Sequence, residues 1–214
     1  MNRRDALAGL ALGTCGLAAV GARKACANLI SSGADGVQGQ ADDVVQKLID
    51  VRQAQRFTDA PVPDADVQRI VTAGLNAPSA LNRQPWFFTV VTDRELLLDI
   101  DKTAKVDPKG RLSVGGSPLV IFVSVNDSDY GKYDSGAAAD RMNVVANLLG
   151  YGCKTVATAA KAANDEKYRE RLHIPEGYQI FAALLIGKEI EPSVDGVSGA
   201  TSREPREKKI FFVK

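Results

Sequence analysis

The residues best able to do chemistry are gathered in one stretch: Asn76-Ala77-Pro78-Ser79-Ala80-Leu81-Asn82-Arg83-Gln84-Pro85-Trp86. Pro78 and Pro85 restrict the backbone, while Ser79, Asn82 and Gln84 set hydroxyl and amide groups beside the Trp86 ring. An asparagine amide both donates and accepts, so the set suits a flat heteroaromatic ligand whose edge alternates the two functions. The same residue types also build an ordinary turn between a helix and a strand, and the residues alone leave both readings open. Other chemistry is scarce. His173 is the only histidine in 214 residues, which excludes any site needing two. A serine triad would have to use it, and no GxSxG elbow is present. Cys15, Cys26 and Cys153 are too few and too scattered for a zinc ribbon, so no metal site is expected.

The remaining candidates each have a plain structural explanation. Gly150-Tyr151-Gly152-Cys153-Lys154-Thr155 lacks the third glycine of a dinucleotide fingerprint, and Cys153 stands where a P-loop needs glycine. A turn closing a helix explains it better. Cys153 with Lys154 beside it has the form of an activated nucleophile or of a buried thiol. His173 falls at an expected helix end, where a cation caps favourably. Lys102 to Arg111 interleaves bases with acids and reads as a solvated face.

These residues need a frame. Hydrophobic residues make up 45% and charged residues 25% of the chain, a globular mix that excludes disorder and fibrous repeats. Lys plus Arg number 27 against 26 Asp plus Glu, so the charge of +1 points to no nucleic-acid surface. Val44, Val45, Leu48 and Ile49 fall on one helical face behind a capping Asp42-Asp43. Pro63-Asp64 opens a second helix with Val67, Ile70, Val71 and Leu75 on its stripe. Arg94 to Ala104 and Ser135 to Leu149 read as two more, and Asn164 as the N-cap of a helix ending near His173. Trp86 to Val91, Leu119 to Val125 and Gln179 to Ile186 read as strands, the second buried on both faces. Lys209 to Val213 reads as a terminal extended arm. This alternation predicts a layered α/β or α+β domain.

The first 27 residues read as an address. Arg3-Arg4 head an apolar run from Ala6 to Val20, which ends at Ala25-Cys26-Ala27 in the A-x-A pattern of a cleavage site. Paired arginines, and Arg23 and Lys24 before the cleavage site, resemble a twin-arginine export signal. Retention of the segment would leave a membrane tether; its removal delivers a periplasmic protein. Cleavage removes four basic residues and one acid, turns the net charge of +1 into −2, and leaves Cys153 as the sole cysteine. Asn28 to Gln40 is rich in Ser, Gly, Ala and Gln, so residues 28–42 are expected to link the address to a domain over 43–214.

APSALNRQPWFFTVV resembles the signature of the nitroreductase family of FMN-dependent oxidoreductases: Pro-Ser, then Asn, then Gln-Pro-Trp entering a central strand. Four further segments resemble that family in order. They are RQAQRFTDAPVP, SPLVIFVSV with the long helix YDSGAAADRMNVVANLLGYG, IPEGYQIFAALLIGKE, and the tail REPREKKI. The resemblance implies an α+β three-layer fold, with a mostly antiparallel sheet flanked by helices, in a homodimer with two FMN sites at its interface. It further implies that Asn82 bonds the pyrimidine edge, that Pro78 and Ser79 line the flavin from the neighbouring subunit, and that Arg52 and Arg203 meet the phosphate. Backbone at Val156, Ala157 and Thr158 would approach flavin N5. No side-chain acid or base is obligatory in such an enzyme.

Departures are concentrated at the phosphate. The opening segment is Val51-Arg52-Gln53-Ala54-Gln55, so Gln53 and Gln55 occupy cofactor positions where the family carries Ser and a basic residue, and Arg56 adds a charge one position late. Ala157 and Thr158 replace glycines, and the short stretch between Val125 and Tyr133 leaves little of the family's substrate-covering insertion. The resemblance implies passage of electrons or hydride through N5 to a nitroaromatic- or quinone-like acceptor. The donor would be NAD(P)H or, after export, a quinol or redox protein. The alternative is an exported flavin- or small-ligand-binding protein without turnover.

Overall fold

The computed structural model describes residues 39–50, 53–190 and 204–213. The address, Arg52 and Arg203 lie outside the described residues. Contacts divide the chain into two units, 1–49 and 50–214. Helix α1 (39–50) begins ahead of Asp42-Asp43, because nothing in Gly39-Gln40-Ala41 stops a helix; residues 39–42 are therefore helical rather than linker. Val44, Val45 and Ile49 on it are exposed.

The second unit is built on one sheet. Strand β1 (Trp86–Val91), β2 (Leu119–Asn126), β3 (Gly152–Val156) and β4 (Tyr178–Gly187) lie in the order β1-β2-β4-β3, every neighbouring pair antiparallel. β2 is buried over seven of its eight residues, because helices cover both faces. Its alternation deals Val120 and Phe122 to one core and Leu119, Ile121 and Val123 to the other. Helix α2 (Asp64–Leu75) and α4 (Gly131–Leu148) cover the second core, with Val67, Ile70 and Met142 inward. Helix α3 (Arg94–Ala104), α5 (Thr158–Ala163) and α6 (Glu166–Arg169) cover the first, through Leu97, Ile100, Ala160 and Tyr168. This is the expected α+β three-layer arrangement.

Local chemistry explains where expectation and structure part. α4 starts at Gly131, four residues before Ser135, since only glycine fits there: a Cβ would stand 2.7 Å from Val125 Cγ2 and 2.8 Å from the Asn126 carbonyl. Asn164 does not cap α6. Asp165 does, accepting from Lys167 N, while the Asn164 amide donates to the Ala160 and Ile180 carbonyls and accepts from Ile180 N. Gly150, at φ 83°, closes α4 as a turn residue, but Gly152 onward is strand β3 rather than turn. In the tail, Arg206–Lys208 form a 3₁₀ turn, Lys209 completes it, and 210–213 are irregular and exposed instead of an extended arm.

Candidate functional site

The chemically dense stretch forms the turn between α2 and β1. Leu81, Asn82 and Gln84 all have left-handed backbones, at φ 54°, 56° and 48°. Such a backbone costs Leu81 and Gln84 about 1–2 kcal/mol each, whereas asparagine tolerates it. The surroundings impose the shape. Ala80 N donates to the buried Asp134 carboxylate of α4 at 3.0 Å, and Gln84 N donates to Ser79 Oγ at 3.0 Å. Trp86 anchors the exit, buried and stacked on Phe88 with ring centroids 6.2 Å apart. The Asn82 carbonyl accepts from Gln84 Nε2, and the residue itself stands exposed beside Leu81, which is 84% exposed. Sequence reasoning missed Asp134; a lone acid opening an alanine-rich helix was the available signal.

A second group gathers on β3. Ala54 N donates to the Cys153 carbonyl at 3.0 Å, laying the segment of Gln53 and Gln55 along the strand. Gly152 permits this, since a Cβ there would come 2.8 Å from Ala54 Cβ. Gln53 is exposed, its carbonyl accepts from Gln55 Nε2, and Gln55 N donates to Glu189. Past Val156, the last residue of β3, Ala157 and Thr158 are exposed at the entry to α5.

The two groups lie on opposite edges of the sheet, β1 and β3, and at different levels along it. The loop enters β1 at Trp86, level with Val125 and Gln179. Cys153 beside Ala54 is level with Ile186 and Leu119 at the far end, and Val156 with Ala183, Phe122 and Thr89. Three strand spacings amount to roughly 14 Å. A single chain therefore does not bring Asn82 together with Gln53, Gln55 and Val156–Thr158. Pro78, Ser79 and Asn82 belong to one loop, between α2 and β1. At the end of β2 and the start of β4 lies a cavity of about 430 Å³ lined by Asn126, Lys132, Arg169 and Tyr178; the Asn126 Oδ1 atom is buried without a hydrogen-bond partner among the described residues.

β3 also settles the thiol. Alternation sends Cys153 into the α2–α4 core, where burial pushes its pKa up to about 12. It is not an activated nucleophile. Lys154 points to the other face, 2% exposed, its ammonium donating to the Arg111 carbonyl at 2.6 Å. Burial, and secondarily the Arg111 charge, lower its pKa from the usual 10.5. A lysine depressed in the folded state costs stability while it is protonated, and the cost is relieved as pH climbs from the folded value towards 10.5. Lys154→Met should stabilise the protein by about 1–2 kcal/mol at neutral pH. Urea unfolding of both proteins between pH 7 and 10 should show that advantage shrinking as pH rises; a constant difference would mean Lys154 does not titrate in this range.

The sequence pattern of the nitroreductase family matches residues 52–111. A protein of Archaeoglobus fulgidus named as an NADH dehydrogenase/NAD(P)H nitroreductase is 30% identical over 149 residues, covering 66% of this chain and 83% of that one. The chain belongs to the nitroreductase family. An FMN reductase [NAD(P)H] of Bacillus subtilis is 25% identical over 169 residues, 68% of this chain and 66% of that protein. Among solved structures, a nitroreductase with bound FMN from Desulfitobacterium hafniense superposes with a TM-score of 0.68 at 22% identity, covering 80% of this chain and 98% of that one. The nitroreductase fold and its antiparallel sheet are thus shared.

Proposed function

We propose that this nitroreductase-family chain is an exported, homodimeric, FMN-dependent oxidoreductase. The observation that carries the reading is the strained loop holding the Asn82 amide exposed at the edge of β1. The donor set fits a flavin. Asn82 offers the donor-and-acceptor pair that a pyrimidine edge requires, and Pro78 and Ser79 frame it. Gln53 and Gln55 offer neutral amides, with the Arg52 and Arg203 guanidiniums for the phosphate; Val156, Ala157 and Thr158 offer backbone beside N5. Bound FMN would supply the redox chemistry, taking electrons or hydride from a donor and passing them to a nitroaromatic- or quinone-like acceptor. Relatives named for NAD(P)H support that donor class.

Two copies are needed because the loop and the β3 group occupy opposite edges. Apolar side chains left uncovered in the single chain support this: Leu81, Phe211 at 90% and Val213 at 89% exposure. Export rests on the paired-arginine head and suits a route that carries folded, cofactor-loaded proteins. Outside the cytoplasm a quinol or redox protein would replace NAD(P)H. Arg3→Lys with Arg4→Lys should leave the protein in the cytoplasm with residues 1–27 attached; unchanged periplasmic delivery would overturn the twin-arginine route.

The flavin itself is checked on purified protein by its visible spectrum, and turnover by photoreduction followed by reoxidation with an acceptor. Gln53 and Gln55 in place of stronger phosphate donors favour a second reading, a flavin-binding protein without turnover, which the reoxidation step excludes or supports. Asn82→Ala should weaken FMN by about 1–3 kcal/mol, and Asn82→Asp should do no better, because a carboxylate cannot donate. If both bind FMN as the parent does, Asn82 does not face the ring.

A further inference from the structure

The strained loop that carries Asn82 is gripped from outside by α4, through Asp134, Ala138, Arg141 and Met142. These stand at positions i, i+4, i+7 and i+8, one face of a helix. Met142 lies against the buried Gly74 in the last turn of α2, where a Cβ would stand 2.8 Å from Met142 Cγ. Arg141 Nη1 donates to the Asn76 carbonyl at 2.7 Å, just past the end of α2. Asp134 Oδ2 accepts from Ala80 N at 3.0 Å. Ala138 shares a buried cluster with Ala77 and Trp86, where the loop enters β1. A cation thus meets a carbonyl and an anion meets an N–H, the pairings that make charge-assisted hydrogen bonds.

Asp134 is the member that bears on Asn82. It is 3% exposed, and burying a carboxylate is costly unless donors hold it. Ala80 directly precedes the left-handed residues Leu81 and Asn82. Two bonds inside the loop, from Asn82 N to the Ser79 carbonyl and from Gln84 N to Ser79 Oγ, close the turn but move with it. Ties to other elements fix its attitude: Asp134 at Ala80 N, and Asn126 N donating to the Pro85 carbonyl. Asn82 stands between them, and a backbone in a sparsely populated conformation persists only where its surroundings over-determine it.

We propose that Asp134, supported by Arg141, is a positioning residue: acting through Ala80 and Asn76, this face of α4 presents the Asn82 amide to the edge of a flat ring. The inference rests on the reading of Asn82 as a flavin contact. Its consequence is specific to the ring, so riboflavin and FMN are affected alike.

The test compares Asp134→Ala with Asp134→Asn, whose amide oxygen can still accept from Ala80 N. Trypsin reads the loop in flavin-free protein, since Arg83 is exposed within it. Cleavage after Arg83 should need about tenfold less protease in Asp134→Ala than in the parent, and Asp134→Asn should resist as the parent does. Titration with riboflavin and with FMN reads the amide: Asp134→Ala should weaken both by the same factor, about tenfold. In an Asn82→Ala background the same change should weaken neither further, because the amide it positions is gone. Arg141→Ala removes an exposed side chain and should give a smaller loss with the same dependence on Asn82; it carries the comparison if Asp134→Ala does not fold. Unchanged cleavage after Arg83 would overturn the clamp. Easier cleavage with riboflavin affinity unchanged, or an equal loss with and without the Asn82 amide, would overturn the positioning role. A parent with no flavin in its visible spectrum and no affinity for riboflavin overturns the flavin reading instead, while the cleavage comparison still decides the clamp.

Discussion

Asp101→Ala is expected to destabilise the fold by about 3–5 kcal/mol. Its carboxylate takes three hydrogen bonds from residues 12 to 14 positions away, in a place water does not reach. Alanine would leave two backbone N–H groups buried without an acceptor and the Ser113 hydroxyl proton without one, although the Ser113 oxygen still accepts from Gly116 N. Asp101→Asn should cost less but remain destabilising, because an amide has only one acceptor oxygen for three donors. Urea unfolding measures the loss, and limited proteolysis locates it: cleavage after Lys109 or Arg111 should appear in the alanine variant at protease levels the parent resists. A loss under 1 kcal/mol would mean the loop is held by its apolar contacts and not by Asp101.

That loop also marks the boundary of what the sequence made legible. Strand β1, helix α3 and the core of β2 declare themselves by local pattern: alternating aromatic and β-branched residues, an Asp93 cap with Leu96, Leu97 and Ile100 at helical spacing, and an unbroken apolar run. Asn82 is legible because its neighbours are unusual in type. β3 is not, since Gly152, Lys154 and Thr155 carry no apolar alternation and only pairing with β4 makes them strand. Asp101 sits in α3 as one acid among Asp99, Lys102 and Lys105, and nothing local tells that its side chain turns inward.

Arg203→Ala is expected to cost FMN far more affinity than riboflavin, which shares the ring and lacks the phosphate. Val51, Gln53 and Gln55 leave the opening segment with Arg52 as its one early cation, so the tail arginine must carry a larger share of the dianion. Removing one partner of a buried charged pair costs about 3–5 kcal/mol, and less where water enters. Calorimetric titration of both ligands measures the difference directly. Val51→Arg with Gln55→Arg should tighten FMN in the same assay, provided that segment faces the phosphate from its place along β3. Equal losses of FMN and riboflavin on Arg203→Ala would instead mean that the tail braces the fold, and its phosphate role would fall.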